Sequence, residues 1–386
     1  MCVVSRKPKL VIGITSALST PLILGQGRYF VDQGYDVYIL GPKGGKIEEY
    51  CAEEGCTHLP VLITRDISLL SDLRALFILI GWMISIRPDI VNVGTPKMGL
   101  LGSIAAFLTR VPQRIYTCRG LRYESETGRK RKILMVSEKL SAACARKVIC
   151  ISESVRQKVI ADGITTPDKS VVIGPGSSNG IDIRKFDRTR VSAASREEIR
   201  TALGLQGCFV AGFVGRLAER KGIRELYDAF ITLRAAHGAV KLVILGVLDR
   251  AQFPDTKLLE AIQTDPDIHW VGFQDDVPAY MSTFDVLVLP AWWEGFGNVL
   301  VQAAAMQVPV ISTDATGSRD AVKHDFNGII VPPKDPQAVA DALIAYHDDM
   351  DRRARHGANG PEWARRFDPR IIWGGLHDLY ENKDPA

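Results

Sequence analysis

The stretch FVAGFVGRLAERKGIRELYDAFITLRAAHGAVKLVIL, residues 209–245, decides the fold. It opens with an apolar run, continues through a longer helix-type segment and closes with a second apolar run. We predict a strand at residues 208–214, a helix at 220–236 and a strand at 240–245. Strands nearly continuous in Val, Ile and Leu and joined by helices are typical of parallel sheets covered on both faces. The stretch therefore predicts one unit of a doubly wound α/β domain.

The same alternation occurs twice along the 386 residues, a length that suits two or three domains. Further strands are predicted at 10–15, 36–40, 90–93, 114–117, 147–151, 268–271, 286–289 and 309–312, and further helices at 69–86, 98–109, 130–145 and 299–306. The turn-rich segment GPGSSNG, residues 174–180, separates the two series. We therefore predict two Rossmann-like domains facing a central cleft at the carboxyl ends of both sheets, where such sheets bind ligands.

Charge is distributed unevenly between the two halves. Residues 1–190 carry 28 Lys and Arg against 17 Asp and Glu, whereas the remainder carries 20 against 27. Residues 110–158 hold 13 basic side chains against four acidic ones, most densely in RKRK at 129–132. No interleaved aromatic residues or known module support nucleic-acid binding. The basic segment predicts attraction to an anionic membrane surface, with a solvated helix start as the alternative.

Other sequence features exclude several classes of protein. The seven cysteines and seven histidines show no spacing typical of a metal site, and the cysteines suit thiols of a reducing cytosol. Polar residues interrupt the apolar stretch 10–24, which favours a strand and loop over a signal peptide. The apolar run ALFILIGWMISI, residues 75–86, is shorter than the about 20 residues that span a bilayer. We expect a buried helix there, or alternatively a helix lying in a membrane surface.

Two loops between predicted strands and helices carry the candidate chemistry. In PAWWEGFGN, residues 290–298, Glu294 could accept sugar hydroxyl protons, and the following helix N-terminus would face an anion. The alternative is a helix cap with both tryptophans in the core. After the first quoted strand, Arg216 and Lys221 are two cations that could neutralise a diphosphate, with a solvated basic loop as the alternative.

Taken together, Gly215-Arg216, Lys221-Gly222 and EGFGNVLVQAAAMQVPVI at residues 294–311 resemble the donor domain of the retaining glycosyltransferases of family 4. The resemblance continues through TDATGSRDAVKHDFNGIIV at 313–331. In the first half, residues 88–106, 116–132 and 148–157 are similar to the branch that builds bacterial surface glycans on a lipid carrier. The resemblance implies a GT-B fold. Residues 1–188 would bind the acceptor, 189–366 would bind the nucleotide sugar, and 367–386 would pack back on the first domain.

The resemblance also implies a reaction. It is that of a metal-independent, retaining hexosyltransferase that uses a UDP-hexose or UDP-N-acetylhexosamine and a polyprenyl-diphosphate-linked saccharide. The product would belong to capsule, lipopolysaccharide or related polysaccharide biosynthesis. No cofactor is expected besides the nucleotide sugar, and the expected location is cytoplasmic, peripheral on the inner face of the cell membrane. The alternatives are a UDP-sugar epimerase or hydrolase of the same fold and a non-catalytic sugar- or lipid-binding homologue.

The resemblance assigns roles to individual residues. Arg216 and Lys221 would hold the donor diphosphate, and Glu294 would contact donor sugar hydroxyls. The other expected donor-binding residues are Gly215, Gly272, Phe273, Gly295, Phe296, Gly297, Asn298, Val299 and Gln302, and the acceptor-side residues are Thr15, Ser16, Arg119 and Arg122. Gln302 stands where the family usually has a second glutamate that binds the ribose. Arg119 stands where relatives often carry a histidine, and an arginine there suits a phosphate or carboxylate.

Overall fold

The computed structural model describes residues 6–63 and 68–383. It divides into two compact units, one formed by residues up to Gly180 with those from Pro369 onward, the other by Ile181–Asp368. The change of unit falls before the predicted limit after residue 188. The reason is that the charged stretch following the turns already belongs to the second unit, where Ile181 N–H donates to Phe367 O over 2.7 Å.

The first unit is built on seven strands. They are β1 Lys9–Gly13, β2 Asp36–Gly41, β3 Thr57–Pro60, β4 Ile90–Gly94, β5 Gln113–Cys118, β6 Lys147–Cys150 and β7 Ser170–Val171. They form one sheet with the order β3-β2-β1-β4-β5-β6-β7. The connecting helices are α1 Gln26–Asp32, α2 Gly45–Glu54, α3 Leu69–Ile86, α4 Pro96–Leu108, α5 Gly128–Cys144 and α6 Glu153–Ala161.

The second unit is built on six strands. They are β8 Phe209–Val214, β9 Val240–Leu245, β10 Ile268–Gly272, β11 Val286–Leu289, β12 Val310–Thr313 and β13 Gly328–Val331. Their order in the sheet is β10-β9-β8-β11-β12-β13. The helices are α7 Ala193–Ala202, α8 Ile223–His237, α9 Thr256–Thr264, α10 Val277–Met281, α11 Asn298–Ala305, α12 Pro336–Asp348 and α13 Met350–Arg365. A last helix, α14 Pro369–Tyr380, belongs to the first unit.

Both sheets are parallel, and in each of them the strand order reverses once. The reversal lies between β1 and β4 in the first sheet and between β8 and β11 in the second. In open α/β sheets, ligands bind outside the carboxyl ends of the strands at such a reversal. The predicted doubly wound α/β class is confirmed. A ligand site is expected at the two reversals.

The predicted strands and helices are present, with ends displaced by up to about three residues, as is usual for such boundaries. Three strands, β3, β7 and β13, were not predicted. All three lie at a sheet edge, where a strand pairs on one side only. β7 has two residues and β3 reads THLP, so neither shows an extended apolar run.

The apolar helix α3 differs from the expectation of a buried helix. Its buried positions recur at Ala75, Leu79, Met83 and Ile86, which is one helical face. The other face is exposed, with Phe77 at 65%. Among the described residues, α3 is the helix long and apolar enough to cross a membrane by length and composition alone. The helix is therefore buried on one side and presents apolar side chains on the other.

Candidate active site

A buried ion pair lies at the strand-order reversal of the second sheet. Lys221 comes from the segment after β8, and Glu294 comes from the loop after the neighbouring strand β11. The Lys221 ammonium donates a hydrogen bond to Glu294 Oε1, and both side chains are largely buried. Burial lowers the pKa of Lys221, and the Glu294 carboxylate opposes this shift. The structure thus brings together two of the three residues predicted to be catalytic.

Backbone contacts hold the two loops in this position. Trp292 N–H donates to Arg220 O over 2.8 Å, which ties the loop after β11 to the segment after β8. Gly222 has a left-handed φ of 73°, and a β carbon there would collide with Pro290 O. Only glycine fits this approach without strain. The Lys221-Gly222 sequence therefore matters because glycine lets the lysine-bearing turn reach the second loop.

Sequence reasoning missed Arg220. Its Nη1 lies 3.6 Å from Glu294 Oε1, and its guanidinium stacks on Trp293, with Cζ 4.7 Å from the ring centroid. Burial lowers the pKa of Arg220, again opposed by Glu294. Nη1 is buried and, among the described residues, has no hydrogen-bond partner. The sequence signals that could have identified Arg220 were its position beside Lys221 and the two tryptophans in the loop that carries Glu294.

Arg216 has a different partner. Its Nη1 lies 2.8 Å from Asp249 Oδ2, and its side chain is 49% exposed. It is still close enough that its charge contributes to lowering the pKa of Lys221. Arg216, Arg220 and Lys221 therefore concentrate positive charge on one segment after β8. Glu294 and Asp249 are the carboxylates paired with it.

The remaining donor-side residues lie in the same unit, at or after strand ends. Gly295, Phe296 and Gly297 belong to the loop after β11, whereas Asn298, Val299 and Gln302 lie in α11. Gly215 follows β8, Gly272 ends β10, and Phe273 is exposed. The Phe296 ring is buried against Phe367, with centroids 5.2 Å apart. The structure therefore gives Phe296 a packing contact, while its loop keeps Glu294 in place.

The acceptor-side residues lie in the first unit, where a hydroxyl pair marks the reversal. Thr15 follows β1 and Thr95 follows β4, and their Oγ1 atoms are 2.6 Å apart. Sequence reasoning missed Thr95. Ser16 caps the following turn by accepting a hydrogen bond from Leu18 N–H. Arg119 follows β5 and donates to a backbone carbonyl.

The fourth acceptor-side residue, Arg122, is exposed. It begins the short turn Arg122–Ser125 that precedes α5. Its side chain is therefore available to solvent and does not belong to the Thr15–Thr95 hydroxyl pair at the reversal.

Among the described residues, one group of side chains could hold a metal ion. The nitrogen and oxygen atoms of His237, His347 and Asp348 all lie within 4.8 Å of one another. His237 ends α8, about 20 Å along the helix from the Lys221 end. His347 Nδ1 lies 2.8 Å from Asp348 Oδ1, and the two imidazole rings have centroids 3.9 Å apart with their planes inclined by 32°. The group joins α8 to α12 and lies away from the Lys221–Glu294 pair.

Comparison with known proteins shows the family. Residues 21–176 match the family described as "Glycosyl transferase 4-like domain", and residues 208–349 match "Glycosyl transferases group 1". The chain is 36% identical over 368 residues to the capsular polysaccharide biosynthesis glycosyltransferase CapM of Staphylococcus aureus, covering 95% of each. The chain belongs to the family 4 glycosyltransferases.

Two more comparisons describe this glycosyltransferase further. It is 28% identical over 362 residues to the Escherichia coli UDP-Gal:alpha-D-GlcNAc-diphosphoundecaprenol alpha-1,3-galactosyltransferase, with 90% of this chain and 89% of the relative covered. It superposes on Anabaena HepE, solved with UDP and glucose, with a TM-score of 0.81 at 20% identity. That match covers 97% of this chain and 99% of HepE. The predicted GT-B fold is confirmed.

The family matches contain most candidate residues of the glycosyltransferase. Lys221 and Glu294 lie within the range 208–349, and Arg119 lies within 21–176. Chemically, cations fixed at a strand-order reversal can offset negative charge that develops on a departing phosphate group. A buried carboxylate beside them can accept hydrogen bonds from sugar hydroxyls. The second unit therefore holds cations and a carboxylate side by side at a strand-order reversal.

Proposed function

We propose that this glycosyltransferase moves a sugar from a nucleotide diphosphate sugar to a saccharide carried on a lipid diphosphate, with the anomeric configuration retained and without a metal. One observation carries the proposal, the buried Lys221–Glu294 pair flanked by Arg220 at the reversal of the second sheet. The name of the Escherichia coli relative specifies a UDP-galactose donor and a diphosphoundecaprenol-linked acceptor. CapM adds capsule biosynthesis as the setting.

The donor step follows from charge. When the glycosidic bond breaks, negative charge grows on the diphosphate, and the groups after β8 supply cations for it. Lys221, Arg220 and Arg216 are held there before the donor arrives, so little reorganisation is needed as the charge develops. Fixed cations thus do what a metal ion does in other transferases. On donor binding, Glu294 exchanges part of its contact with Lys221 for sugar hydroxyls.

The acceptor side of the proposal rests on the surface of the first unit. Helix α3 packs against α4, and α4 packs against α5. Exposed apolar side chains follow one stripe of α5 at Ile133, Val136 and Leu140, and the exposed Lys132 and Lys139 lie along one side of it. Apolar and basic groups on one helix face suit the headgroup region of an anionic membrane. We define this stripe as the basic–apolar face and propose that it places the enzyme on the inner membrane surface.

A nucleotide-release assay tests the reaction. Purified protein is given UDP-, GDP- and ADP-sugars, with and without membrane lipid extract, in EDTA. We expect release that depends on one donor and on lipid and that continues in EDTA. Release that requires added metal would contradict metal independence. Epimerised nucleotide sugar without transfer would favour an epimerase, and tight donor binding with no release under any acceptor would favour a binding homologue.

The stereochemistry needs its own measurement. Retention rests on the resemblance to the family, and proton NMR of the product reports the anomeric configuration directly. An α-linked product from an α-linked donor supports retention. A β-linked product would contradict it while leaving the transferase activity standing.

A vesicle assay tests the basic–apolar face. The double variant Lys132→Glu/Lys139→Glu should sediment less with phosphatidylglycerol vesicles than the wild type, and the difference should shrink as salt is raised. Lys43→Glu/Lys46→Glu is the matched control, since both lysines are exposed near α2 in the same unit. Equal losses in both double variants would show a general charge effect and contradict the proposed face.

A further inference from the structure

Glu294 uses one carboxylate oxygen for both of its cations. Oε1 accepts the hydrogen bond from the Lys221 ammonium and also lies 3.6 Å from Arg220 Nη1. Among the described residues, Oε2 forms neither an ion pair nor a hydrogen bond. Both cations therefore hold the carboxylate through Oε1, and Oε2 is left to accept hydrogen bonds from a ligand.

Two further contacts hold Arg220 beside this oxygen. Its guanidinium lies over the Trp293 ring, with Cζ 4.7 Å from the ring centroid, where a cation is attracted to the indole face. Its backbone carbonyl accepts a hydrogen bond from Trp292 N–H over 2.8 Å. The ring and the carboxylate that contact the guanidinium come from adjacent residues of the loop after β11. This loop therefore holds Arg220 through both its backbone and its side chains.

The two cations differ in what happens to them when a donor binds. In the described part of the chain Lys221 pairs with Glu294, and its ammonium lies at the end of a flexible stem. A diphosphate that binds this ammonium draws it away from Glu294. The Glu294 side chain is 12% exposed, and a carboxylate buried to this extent is unfavourable without a counter-charge. Donor binding therefore requires a second cation that stays on Oε1.

We propose that Arg220 is a positioning residue that keeps the Glu294 carboxylate paired and in place while Lys221 turns to the donor diphosphate, and that Trp293 holds Arg220 for this task. The proposal rests on the proposed function and divides its donor site into separate roles. Lys221 serves the diphosphate, and Glu294 Oε2 serves the sugar hydroxyls. Arg220 remains on Oε1 throughout. Donor affinity should then depend on Arg220, and turnover on Lys221.

The exchange is tested by calorimetry with UDP, which has the diphosphate without the sugar. Arg220→Gln should weaken UDP binding about tenfold, because Lys221 can then leave only a buried, unpaired carboxylate behind. In a Glu294→Gln background that carboxylate is absent, so the same change should alter the affinity by less than about twofold. Equal losses in both backgrounds would show that Arg220 contacts the diphosphate itself and would overturn the proposal.

Two more variants control for charge and shape. Arg220→Lys keeps a cation without the planar group that lies on Trp293, and it should recover part of the UDP affinity. Arg224→Gln is the matched control, since Arg224 begins the next helix and pairs with Asp255. It should leave UDP affinity unaltered. A loss as large as that of Arg220→Gln would indicate a general charge effect and contradict the role of Arg220.

The part played by Trp293 has its own double-variant test. Trp293→Leu should weaken UDP binding by a smaller factor than Arg220→Gln, whereas Trp293→Phe keeps an aromatic face and should retain most of the affinity. In the Arg220→Gln background, Trp293→Leu should cause no further loss. The same loss in both backgrounds would show that Trp293 does not act through Arg220.

Steady-state kinetics separate positioning from a purely structural role. Arg220→Gln should raise the KM for the nucleotide sugar about tenfold and lower kcat less than about threefold, whereas Lys221→Ala acts mainly on kcat. A purely structural role would lower the melting temperature and the active fraction and leave KM unchanged. Wild-type protein that binds none of UDP, GDP and ADP would contradict the proposed donor site itself. Wild-type binding of UDP with unchanged affinity in Arg220→Gln would overturn the role of Arg220 alone.

Discussion

Two buried glutamates, one in each unit, show two ways of keeping a carboxyl group inside a protein. Glu138 in α5 is 6% exposed and accepts a hydrogen bond from the Tyr116 hydroxyl. Burial raises its pKa to about 7, and the Tyr116 hydrogen bond opposes the rise. Glu294 is 9% exposed and lies between Lys221 and Arg220. The first group takes up a proton readily, and the second is paired with cations.

The difference corresponds to position in the sheets. Glu138 faces a residue within β5, beneath the helix that carries it, where a hydroxyl is enough to satisfy it. Glu294 is at a strand-order reversal, where an incoming substrate can replace part of its ion pair. Burying charge is unfavourable unless it is paired. The molecule keeps this buried charge pair at a place where a ligand can use it.

The largest effect is expected when either partner of the Lys221–Glu294 pair is removed. Lys221→Ala and Glu294→Ala should each lower turnover about a hundredfold, since Lys221 offsets the developing negative charge and Glu294 fixes Lys221 and contacts the donor sugar. Nucleotide release under saturating donor measures this. Lys241→Ala is the matched control. Lys241 pairs with Asp267 and lies at the start of β9, away from the strand carboxyl ends. Near wild-type rates in both site variants would contradict the site.

The double variant Lys221→Ala/Glu294→Ala tests the pairing itself. Glu294→Ala leaves the buried Lys221 ammonium unpaired, which costs about 3–5 kcal/mol of stability, whereas Lys221→Ala leaves Glu294 paired with Arg220. The double variant also removes that ammonium, so it should unfold at a higher urea concentration than Glu294→Ala. Additive losses would show that the two side chains are not coupled.

The next largest effect is expected on the pH dependence of stability, through the protonation of Glu138. Below about pH 4.5 both folded and unfolded states hold the proton, and Glu138 does not contribute to pH-dependent stability. Between that pH and about 7 the unfolded chain loses its proton first, so stability falls by about 3 kcal/mol. Glu138→Gln keeps an acceptor for Tyr116 and cannot ionise. Urea unfolding should show it more stable than the wild type above pH 7 and equal below pH 4.5, whereas parallel curves would contradict the shift.

Adding a carboxylate at position 302, in the second unit, should have a smaller effect. Gln302 lies half-buried in α11, at the position where the family usually has a ribose-binding glutamate. Gln302→Glu should tighten UDP binding about fivefold, since an ionised acceptor bonds hydroxyls more strongly than an amide. Calorimetry measures the affinity. Gln307→Glu makes the same change just beyond α11 and should leave it unaltered, so equal gains would contradict a ribose contact.

The smallest effect is expected at the strand-order reversal of the first sheet, where Thr15 and Thr95 form an uncharged pair. Thr15→Val removes the hydroxyl pair with Thr95 and also the acceptor of Met98 N–H, which lies 3.2 Å from Thr15 Oγ1. Thr95→Val removes the pair alone. We expect losses of about 1–2 kcal/mol for Thr15→Val and less for Thr95→Val, measured by urea unfolding. Thr95→Ser keeps the hydroxyl and is the control. A larger loss for Thr95→Val would show that the hydrogen bond to Met98 is not the stronger contact.

Local sequence was sufficient to predict most of the fold. The runs at Val240–Leu245 and Val286–Leu289 coincide with β9 and β11, because a buried parallel strand needs apolar residues on both faces. The edge strand β7 is too short to show such a run, and β3 reads THLP, which is not one. Which strands lie next to each other is a tertiary property. The meeting of Lys221 with Glu294, 73 residues apart, depends on it.

The parts of the site that sequence reasoning missed share this cause. Arg216, Arg220 and Lys221 lie close together in the chain, and the turn Glu219–Lys221 decides which of them faces Glu294. Arg216 instead meets Asp249, from the loop after β9. The burial of Glu138 was also hidden, since it lies in a strongly basic segment of sequence and is buried only because α5 packs on β5.

Helix α14 has a consequence for how the protein is made. Its side chains Ile372, Leu376, Leu379 and Tyr380 belong to the same core as β1 and β2, and Asn92 Nδ2 donates to the Tyr380 hydroxyl over 2.7 Å. The unit translated first therefore lacks part of its core until the chain has been synthesised through Tyr380. On the ribosome, the second unit can complete its own core before the first, so the order of completion is the reverse of the order of synthesis. A fragment that ends at Gly180 would leave this core open to solvent.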